Sequence, residues 1–136
     1  MPKSFLLELV TPERMLFHDA VEQVRAPGIT GSFGVLAGHA PMLTELATGL
    51  IKLTLVTGED AYIATSGGFM QVSKDQVLVL ADTAELSDEI NIERAKATAE
   101  QARQRLAVPG IDADEVRREI ERAENRVRVA QMKNRS

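Results

Sequence analysis

The pattern of apolar and polar residues along the chain changes near residue 86. Before that point, apolar positions alternate with polar or neutral ones in short segments, as in Phe5, Leu7 and Leu9. An alternation of period two places one side of a strand against a core. The same alternation returns in residues 51–55, and residues 77–80 are apolar on both faces. The first part of the chain is therefore predicted to consist of short strands.

Turn signals separate these predicted strands. Eight of the nine glycines and four of the five prolines lie before residue 87, and both residue types favour turns. The spacing of the turn pairs predicts strands of about five residues. No helical segment separates the strands, which argues against a parallel α/β fold, so residues 1–86 are predicted to form an antiparallel β-sandwich. The turn pairs are Thr11–Pro12, Pro27–Gly28, Thr57–Gly58, Gly67–Gly68 and Lys74–Asp75.

Residues 87–136 show the periodicity of two amphipathic helices, because their apolar positions step by three and four. Val108, Pro109 and Gly110 break the pattern, and Asp112 with Glu115 is typical of a capping pair that opens the second helix. Two helices with a short break between them predict an antiparallel hairpin. The apolar positions are Ile92, Ala95, Ala99, Ala102 and Leu106 in the first helix, and Val116, Ile120, Ala123, Val127 and Ala130 in the second.

The seam of this predicted hairpin is mostly alanine on the first helix. Alanine buries little area, so at ~25 cal/mol per Å² the seam contributes limited stability. Such helices could exchange their partner for another surface at modest cost, as a mobile regulatory arm does. A short hairpin docked permanently on the sandwich fits the same pattern, and the sequence leaves both alternatives open.

Charge divides unevenly along the chain, whose net charge is −4. Residues 1–86 carry 5 basic and 10 acidic side chains, whereas residues 117–136 carry 7 basic and 3 acidic ones. A basic helix end on an acidic protein indicates an acidic partner surface or a bound phosphate. The alternative is that the cations only complement the dipole of their own helix. The pI of about 5.2 and the lack of aromatic residues after Phe69 disfavour nucleic acid.

Several function classes are disfavoured by composition. The chain has no cysteine, and its two histidines, His18 and His39, have no metal-ligand spacing, so no metal site is expected. The sequence has no paired histidines, no phosphate-binding glycine loop that ends in Lys-Ser or Lys-Thr and no HExxH motif, so an enzyme is not expected. No apolar run reaches the roughly 20 residues of a membrane span, and residues 1–10 lack a signal-peptide pattern. We therefore expect the chain to remain in the cytosolic compartment.

Four segments of the first 86 residues form a recognisable set. They are Val10-Thr11-Pro12-Glu13-Arg14, Gly34-Val35-Leu36-Ala37-Gly38-His39-Ala40-Pro41, Ser66-Gly67-Gly68-Phe69 and Val79-Leu80-Ala81-Asp82-Thr83-Ala84-Glu85. In order and spacing these segments resemble the epsilon subunit of bacterial F-type rotary ATP synthases. The likeness covers nearly the whole chain, and the combination is specific although each segment alone is weak.

The resemblance implies a non-catalytic central-stalk subunit, peripheral on the cytoplasmic side of the bacterial inner membrane. The sandwich is then expected to contact the gamma subunit and the c-subunit ring, with Ser32, His39 and Pro41 as contact residues. The hairpin is expected to fold against the sandwich or to extend along gamma, where it blocks ATP hydrolysis and meets an acidic loop of the beta subunit. The expected contact residues on the second helix are Arg117, Arg118, Arg122, Arg126 and Arg128.

The resemblance also implies ATP as a regulatory ligand, with no cofactor required. Many bacterial members bind ATP through a segment that opens the first helix, here Ile90, Asn91, Arg94 and Ala95, preceded by Glu85. Arg94 is expected to meet phosphate, and Arg122 with Arg126 on the second helix to close the site. Asn91 replaces the aspartate of the motif, which removes a charge but keeps a capping side chain. A simple cap with a solvated Arg94 requires no nucleotide.

One rival function remains open from the sequence. A stand-alone adaptor or chaperone module, built of the same sandwich and helical arm, explains the two patterns and the charge division equally well. The segments between Val10 and Glu85 favour the ATP synthase subunit over this rival.

Overall fold

The computed structural model describes residues 4–132 as nine strands followed by a 3-10 turn and two helices. The fold class predicted from the sequence, a mostly antiparallel β-sandwich followed by a two-helix hairpin, is confirmed. The elements are β1 (Phe5–Val10), β2 (Met15–Gly28), β3 (Gly31–Leu36), β4 (Met42–Leu46), β5 (Gly49–Leu55), β6 (Asp60–Thr65), β7 (Gly68–Ser73), β8 (Gln76–Ala81), β9 (Ala84–Leu86), the 3-10 turn (Ser87–Glu89), α1 (Ile92–Arg105) and α2 (Ala113–Ala130).

The strands form two layers that share β2. One layer runs in the order β1, β8, β7 and β4, and the other joins β3 and β2 to β5, β6 and β9. The first half of β2 pairs with β1, and its second half pairs with β3 and β5. β1 and β8 run parallel, whereas the other pairings are antiparallel.

β2 differs from the prediction of uniform short strands, because it is 14 residues long. It stays extended by changing partner along its length, and a register shift between Val21 and Gln23 accommodates the change. The predicted turn at Pro27–Gly28 therefore lies inside β2, and the chain reverses instead at residues 29–30.

The core lies between the two layers. The alternating residues Leu7, Leu9, Ile51 and Leu53 are fully buried there, as the sequence pattern predicted. Gly68 opens β7 with φ of +140°, and a Cβ atom at this position would lie 2.1 Å from the backbone oxygen of β8. Only glycine therefore permits this approach of β7 to β8.

The two helices form the predicted hairpin. Ala95, Ala99 and Ala102 are buried in its seam, together with Val116 and Ala123 of α2. Each helix begins at a side-chain cap of the expected kind, since the Oδ1 atoms of Asn91 and Asp112 accept hydrogen bonds from the backbone N–H three residues on.

The capping pair predicted for α2 forms only in part. Asp112 accepts from the backbone N–H of Glu115 at 3.2 Å. The Glu115 carboxylate, however, pairs with Arg118 at 2.8 Å and lies 3.7 Å from Arg122. The guanidinium groups one and two turns further along the helix attract this carboxylate more strongly than the neutral N–H of the cap.

Candidate functional site

The hairpin docks on the sandwich through the second half of α2, which lies against β5 and β6. The apolar part of this contact is a small cluster separate from the main core, with Ala64, Ile90, Val129 and Ala130 buried in it. Leu50, Tyr62 and Ile92 pack around the cluster and are only partly buried. Two of its four buried members are alanine, so the apolar contribution to docking is modest.

Asn125 adds a buried polar contact at the centre of this surface. Asn125 is 3% exposed, and its Nδ2 donates to the carbonyl oxygen of Gly49 at 2.9 Å and to that of Thr65 at 3.5 Å. Sequence reasoning missed this residue because the periodicity assigned only one apolar face to α2. A second stripe with the same steps of three and four runs through residues 122, 125, 126 and 129, and it ends in buried Val129.

An ion pair beside Asn125 joins the two expected site residues Glu85 and Arg126. Arg126 Nε donates to Glu85 Oε1 at 2.6 Å, and Nη2 donates to Oε2 at 3.1 Å. Their side chains are 28% and 32% exposed, so the pair is partly shielded from solvent. Two parallel bonds between guanidinium and carboxylate fix the orientation of both groups. β9 supplies Glu85, and α2 supplies Arg126, so this pair ties the hairpin to the sandwich.

A cavity of about 380 Å³, which we call the arginine cavity, opens between the hairpin and the end of β9. It brings together three of the residues expected at the nucleotide site: Glu85, Arg122 and Arg126. Its full lining is Thr83, Glu85, Thr98, Glu119, Arg122, Ala123 and Arg126. Two guanidinium groups at one opening can bind an anionic ligand.

The remaining expected nucleotide-site residues lie at the start of α1 and do not line the arginine cavity. Asn91 caps the helix at 3.0 Å, while Ile90 and Ala95 are buried in the docking cluster and in the seam. Arg94 is exposed and lies one turn before Thr98, whose hydroxyl donates to the Arg94 carbonyl at 2.9 Å. Among residues 4–132, no carboxylate forms an ion pair with Arg94.

Most of the α2 arginines expected at a partner surface contact carboxylates of their own chain in this docked posture. Arg117 pairs with Asp114 at 3.3 Å, and Arg118 pairs with Glu115. The Arg118 guanidinium holds the pKa of the Glu115 carboxyl below its ordinary value. Arg128 is exposed and has no ion-pair partner within residues 4–132. The basic residues Lys133 and Arg135, which contributed to the charge count, lie outside the described residues.

The sandwich residues expected at partner surfaces lie at opposite ends of β3. Ser32 is exposed near the start of that strand. His39 and Pro41 lie in the loop beyond its end, where His39 Nδ1 is 2.7 Å from the carbonyl oxygen of Ala40. The structure therefore assigns them to two surfaces and not to one site.

An exposed apolar strip crosses the outer face of four strands and was not predicted. Phe69 pairs with Leu80 across β7 and β8, Leu80 pairs with Val10 on β1, and Val10 pairs with Met15 on β2. Phe69, Leu80 and Met15 are each at least 50% exposed. The sequence of residues 77–80 indicated this strip, because a strand with apolar side chains on both faces is expected to contact apolar partners on both faces. Exposed apolar side chains in a continuous row indicate a docking surface.

Two classes of site are absent from the described part of the chain. No helix within residues 4–132 is long and apolar enough to span a membrane. The same residues contain no group of three or more His, Cys, Asp or Glu side chains that could hold a metal ion.

The fold and the docked helices define a class of protein, a β-sandwich that carries a C-terminal helical hairpin. Residues 4–87 match the family model described as ATP synthase, Delta/Epsilon chain, beta-sandwich domain. The chain belongs to this family, as a bacterial-type epsilon chain, which is a non-catalytic subunit of ATP synthase.

Relatives and solved structures agree with this assignment. The ATP synthase epsilon chain of Desulforamulus reducens is 42% identical over 96% of this chain and 100% of its own length. That of Solibacter usitatus is 42% identical over 98% of this chain and 100% of its own length. A chain in the cryo-electron microscopy structure of the Euglena gracilis mitochondrial ATP synthase, OSCP/F1/c-ring, has a TM-score of 0.82 and 24% identity, over 92% of this chain and 80% of that one. This structural likeness supports the fold.

Proposed function

We propose that this chain joins the central shaft of a rotary ATP synthase to its c-subunit ring, and that its hairpin restrains ATP hydrolysis when it leaves the sandwich. The observation that carries the proposal is the small docking contact of α2, which combines a minor apolar cluster with Asn125 and the Glu85–Arg126 pair. Such a contact orients the hairpin specifically but leaves it releasable. The near full-length match to epsilon chains supports the same function.

The sandwich provides two surfaces for the rotor. The exposed apolar strip of Val10, Met15, Phe69 and Leu80 suits the gamma subunit, because burying it removes apolar area from water. We assign His39 and Pro41 to the same shaft, and the exposed start of β3 that carries Ser32 to the c ring. Ser32 is uncharged, so its contact is a neutral one.

The arginines of α2 suit an exchange of partners. Ion pairs as exposed as Arg117–Asp114 and Arg118–Glu115 are screened by solvent and contribute little to stability, so their loss costs little. In the extended posture these arginines, with Arg122, Arg126 and Arg128, would meet the acidic loop of the beta subunit. The extended helices would then block the catalytic head.

ATP is the proposed ligand of the arginine cavity. Bound ATP would favour the posture in which the hairpin is docked on the sandwich. Arg122 and Arg126 would bind phosphate oxygens, and Arg94 would approach from the neighbouring turn of α1. A phosphate must share Arg126 with Glu85, since both anions compete for the same guanidinium. Ile90, Asn91 and Ala95 would position the start of α1. Titration of the isolated chain with ATP tests this proposal, and failure to saturate at millimolar ATP would reject it.

The function itself is tested in an ATP synthase that lacks its own epsilon chain, with inverted bacterial membrane vesicles as the readout. Adding the full chain should restore proton pumping coupled to ATP hydrolysis and lower the hydrolysis rate. A chain truncated after residue 88 should restore coupling without lowering that rate. If the full chain fails to bind the complex, the adaptor or chaperone alternative gains support. If both chains lower the rate equally, the hairpin is not the inhibitory element.

The proposed location follows from the partners. A chain that contacts the c ring from the side of the catalytic head is peripheral to the membrane. In a bacterium this is the cytoplasmic side of the inner membrane. Washing should release the chain from membrane vesicles together with the other head subunits, without any need for detergent. That result would support this location.

A further inference from the structure

A second cavity lies on the hairpin, away from the arginine cavity, and it has a marked positive charge. Its volume is about 250 Å³, and it is lined by Lys96, Ala99, Arg103, Glu124, Val127 and Arg128. It shares no lining residue with the arginine cavity, and no sandwich residue contributes to it. We call it the Lys96 groove.

Some charged side chains of the Lys96 groove have ion-pair partners, and others have none. Arg103 already pairs with Glu124 at 2.9 Å and with Glu100 at 3.3 Å, so Glu124 is occupied. Within residues 4–132, no carboxylate forms an ion pair with Lys96 or with Arg128. The groove therefore has two cations in excess, one on each helix.

We propose that the Lys96 groove binds a small phosphate anion, inorganic phosphate or pyrophosphate, which links α1 to α2. Lys96 would donate from α1 and Arg128 from α2, and the apolar side chains of Ala99 and Val127 also line the groove. Without an anion the two cations repel each other across a seam made largely of alanine. A bound phosphate reverses the sign of that interaction and stabilises the helix pair.

This site differs from the proposed ATP site in location and effect. The Lys96 groove depends only on the pairing of α1 with α2, so an anion there stabilises the hairpin and not its contact with β5 and β6. The proposal therefore does not depend on inhibition of ATP hydrolysis or on ATP binding.

Titration of the full isolated chain with pyrophosphate tests the proposal. Binding is measured by calorimetry at constant ionic strength, and backbone amide shifts by NMR locate the site. We expect the largest shifts around Lys96, Ala99 and Arg128 and smaller ones around Thr98 and Arg122. Each charge-assisted contact removed should weaken binding about tenfold, so the Lys96→Gln variant and the Arg128→Gln variant should each show that loss.

A matched control separates site binding from general attraction to positive charge. The Lys74→Gln, Arg25→Gln double variant removes one lysine and one arginine from the sandwich, and it should bind pyrophosphate like the original chain. Lys96→Gln with Arg128→Gln removes the same charges from the groove and should lose about a hundredfold. Equal affinity of the two double variants, shifts centred on Arg122, or no binding at millimolar pyrophosphate would each overturn the proposal.

Discussion

Removing the amide of Asn125 should release the hairpin from the sandwich without unfolding either part. In Asn125→Ala, the 2.9 Å hydrogen bond to Gly49 is lost, and the longer one to Thr65 contributes little. A hydrogen bond of this kind contributes about 1 kcal/mol, and leaving the partly buried carbonyl of Gly49 unpaired adds a further penalty of roughly 1 kcal/mol. The docking equilibrium should therefore shift by about 2 kcal/mol, which is roughly a 30-fold change.

Distance and exchange measurements can detect this shift. The chain has no cysteine, so Thr57→Cys in an exposed turn of the sandwich and Glu121→Cys on α2 give two unique label sites. Pulsed electron paramagnetic resonance should show a longer-distance population in the Asn125→Ala variant. Hydrogen exchange of the α2 amides should accelerate up to about 30-fold, because the undocked hairpin opens transiently more often than the docked one, while the core strands keep their protection.

A second amide provides the control for this experiment. Gln104→Ala removes an exposed amide from α1, and its distance distribution and exchange rates should match those of the original chain. The reasoning is refuted if Asn125→Ala leaves the distance and the exchange of α2 unchanged, or if Gln104→Ala changes them as much.

Three further predictions concern the backbone, an ion pair and the ligand. Gly68→Ala should lower the free energy of unfolding by about 3 kcal/mol or more in urea denaturation, because the added Cβ would lie 2.1 Å from a backbone oxygen. Gly58→Ala is the control, because Gly58 also has a positive φ, +90°, but faces open space. This substitution should lower the free energy of unfolding by only about 1 to 2 kcal/mol. Arg14 lowers the pKa of the Glu89 carboxyl from its ordinary value of 4.5. The pair therefore stabilises the folded state above pH 4.5, and this contribution is lost as the pH falls through the folded-state pKa. Arg14→Gln should flatten the acid limb of the curve of stability against pH. Asn91→Asp should leave ATP affinity unchanged if the side chain only caps α1, and should raise it if the carboxylate contacts the ligand.

Specific outcomes would contradict these three predictions. Equal destabilisation by the two glycine substitutions would show that the close backbone approach is not the cause. An acid limb that keeps its slope in Arg14→Gln would assign the pH dependence to other carboxylates. A fall in ATP affinity in Asn91→Asp would show that the added charge meets like charge at the site.

The sequence predicts the elements of this fold better than their connections. Strand periodicity, the alanine seam and the helix caps depend on neighbours within a few residues, and Leu7, Leu53, Ala99 and Asp112 lie as local rules require. The length of β2 was beyond these rules, because whether a strand ends at Pro27 depends on partners far along the chain. The parallel pairing of β1 with β8 likewise arises from contacts between distant segments.

The site shows the same division between local and long-range causes. Arg126 and Glu85 were predicted as site residues and prove to be paired, although their direct bond could not be inferred from residues 41 positions apart. Asn125 escaped notice because its role depends on the Gly49 carbonyl, which only the folded sheet brings to it. Leu80 is an apolar side chain on the second face of its strand, and this feature of the sequence was not used to predict the exposed apolar strip.

The continuous path of β2 through both layers has a mechanical consequence. A turning force applied at Met15 on the outer strip reaches β3 and β5 along one covalent backbone braced on either side by ladders of hydrogen bonds. Hydrogen-bonded strands resist stretching and shear much more than side-chain contacts between separate sheets. A load placed on one layer is therefore carried to the other by β2 itself, whereas the hairpin lies outside this path and contacts the sandwich through β5 and β6.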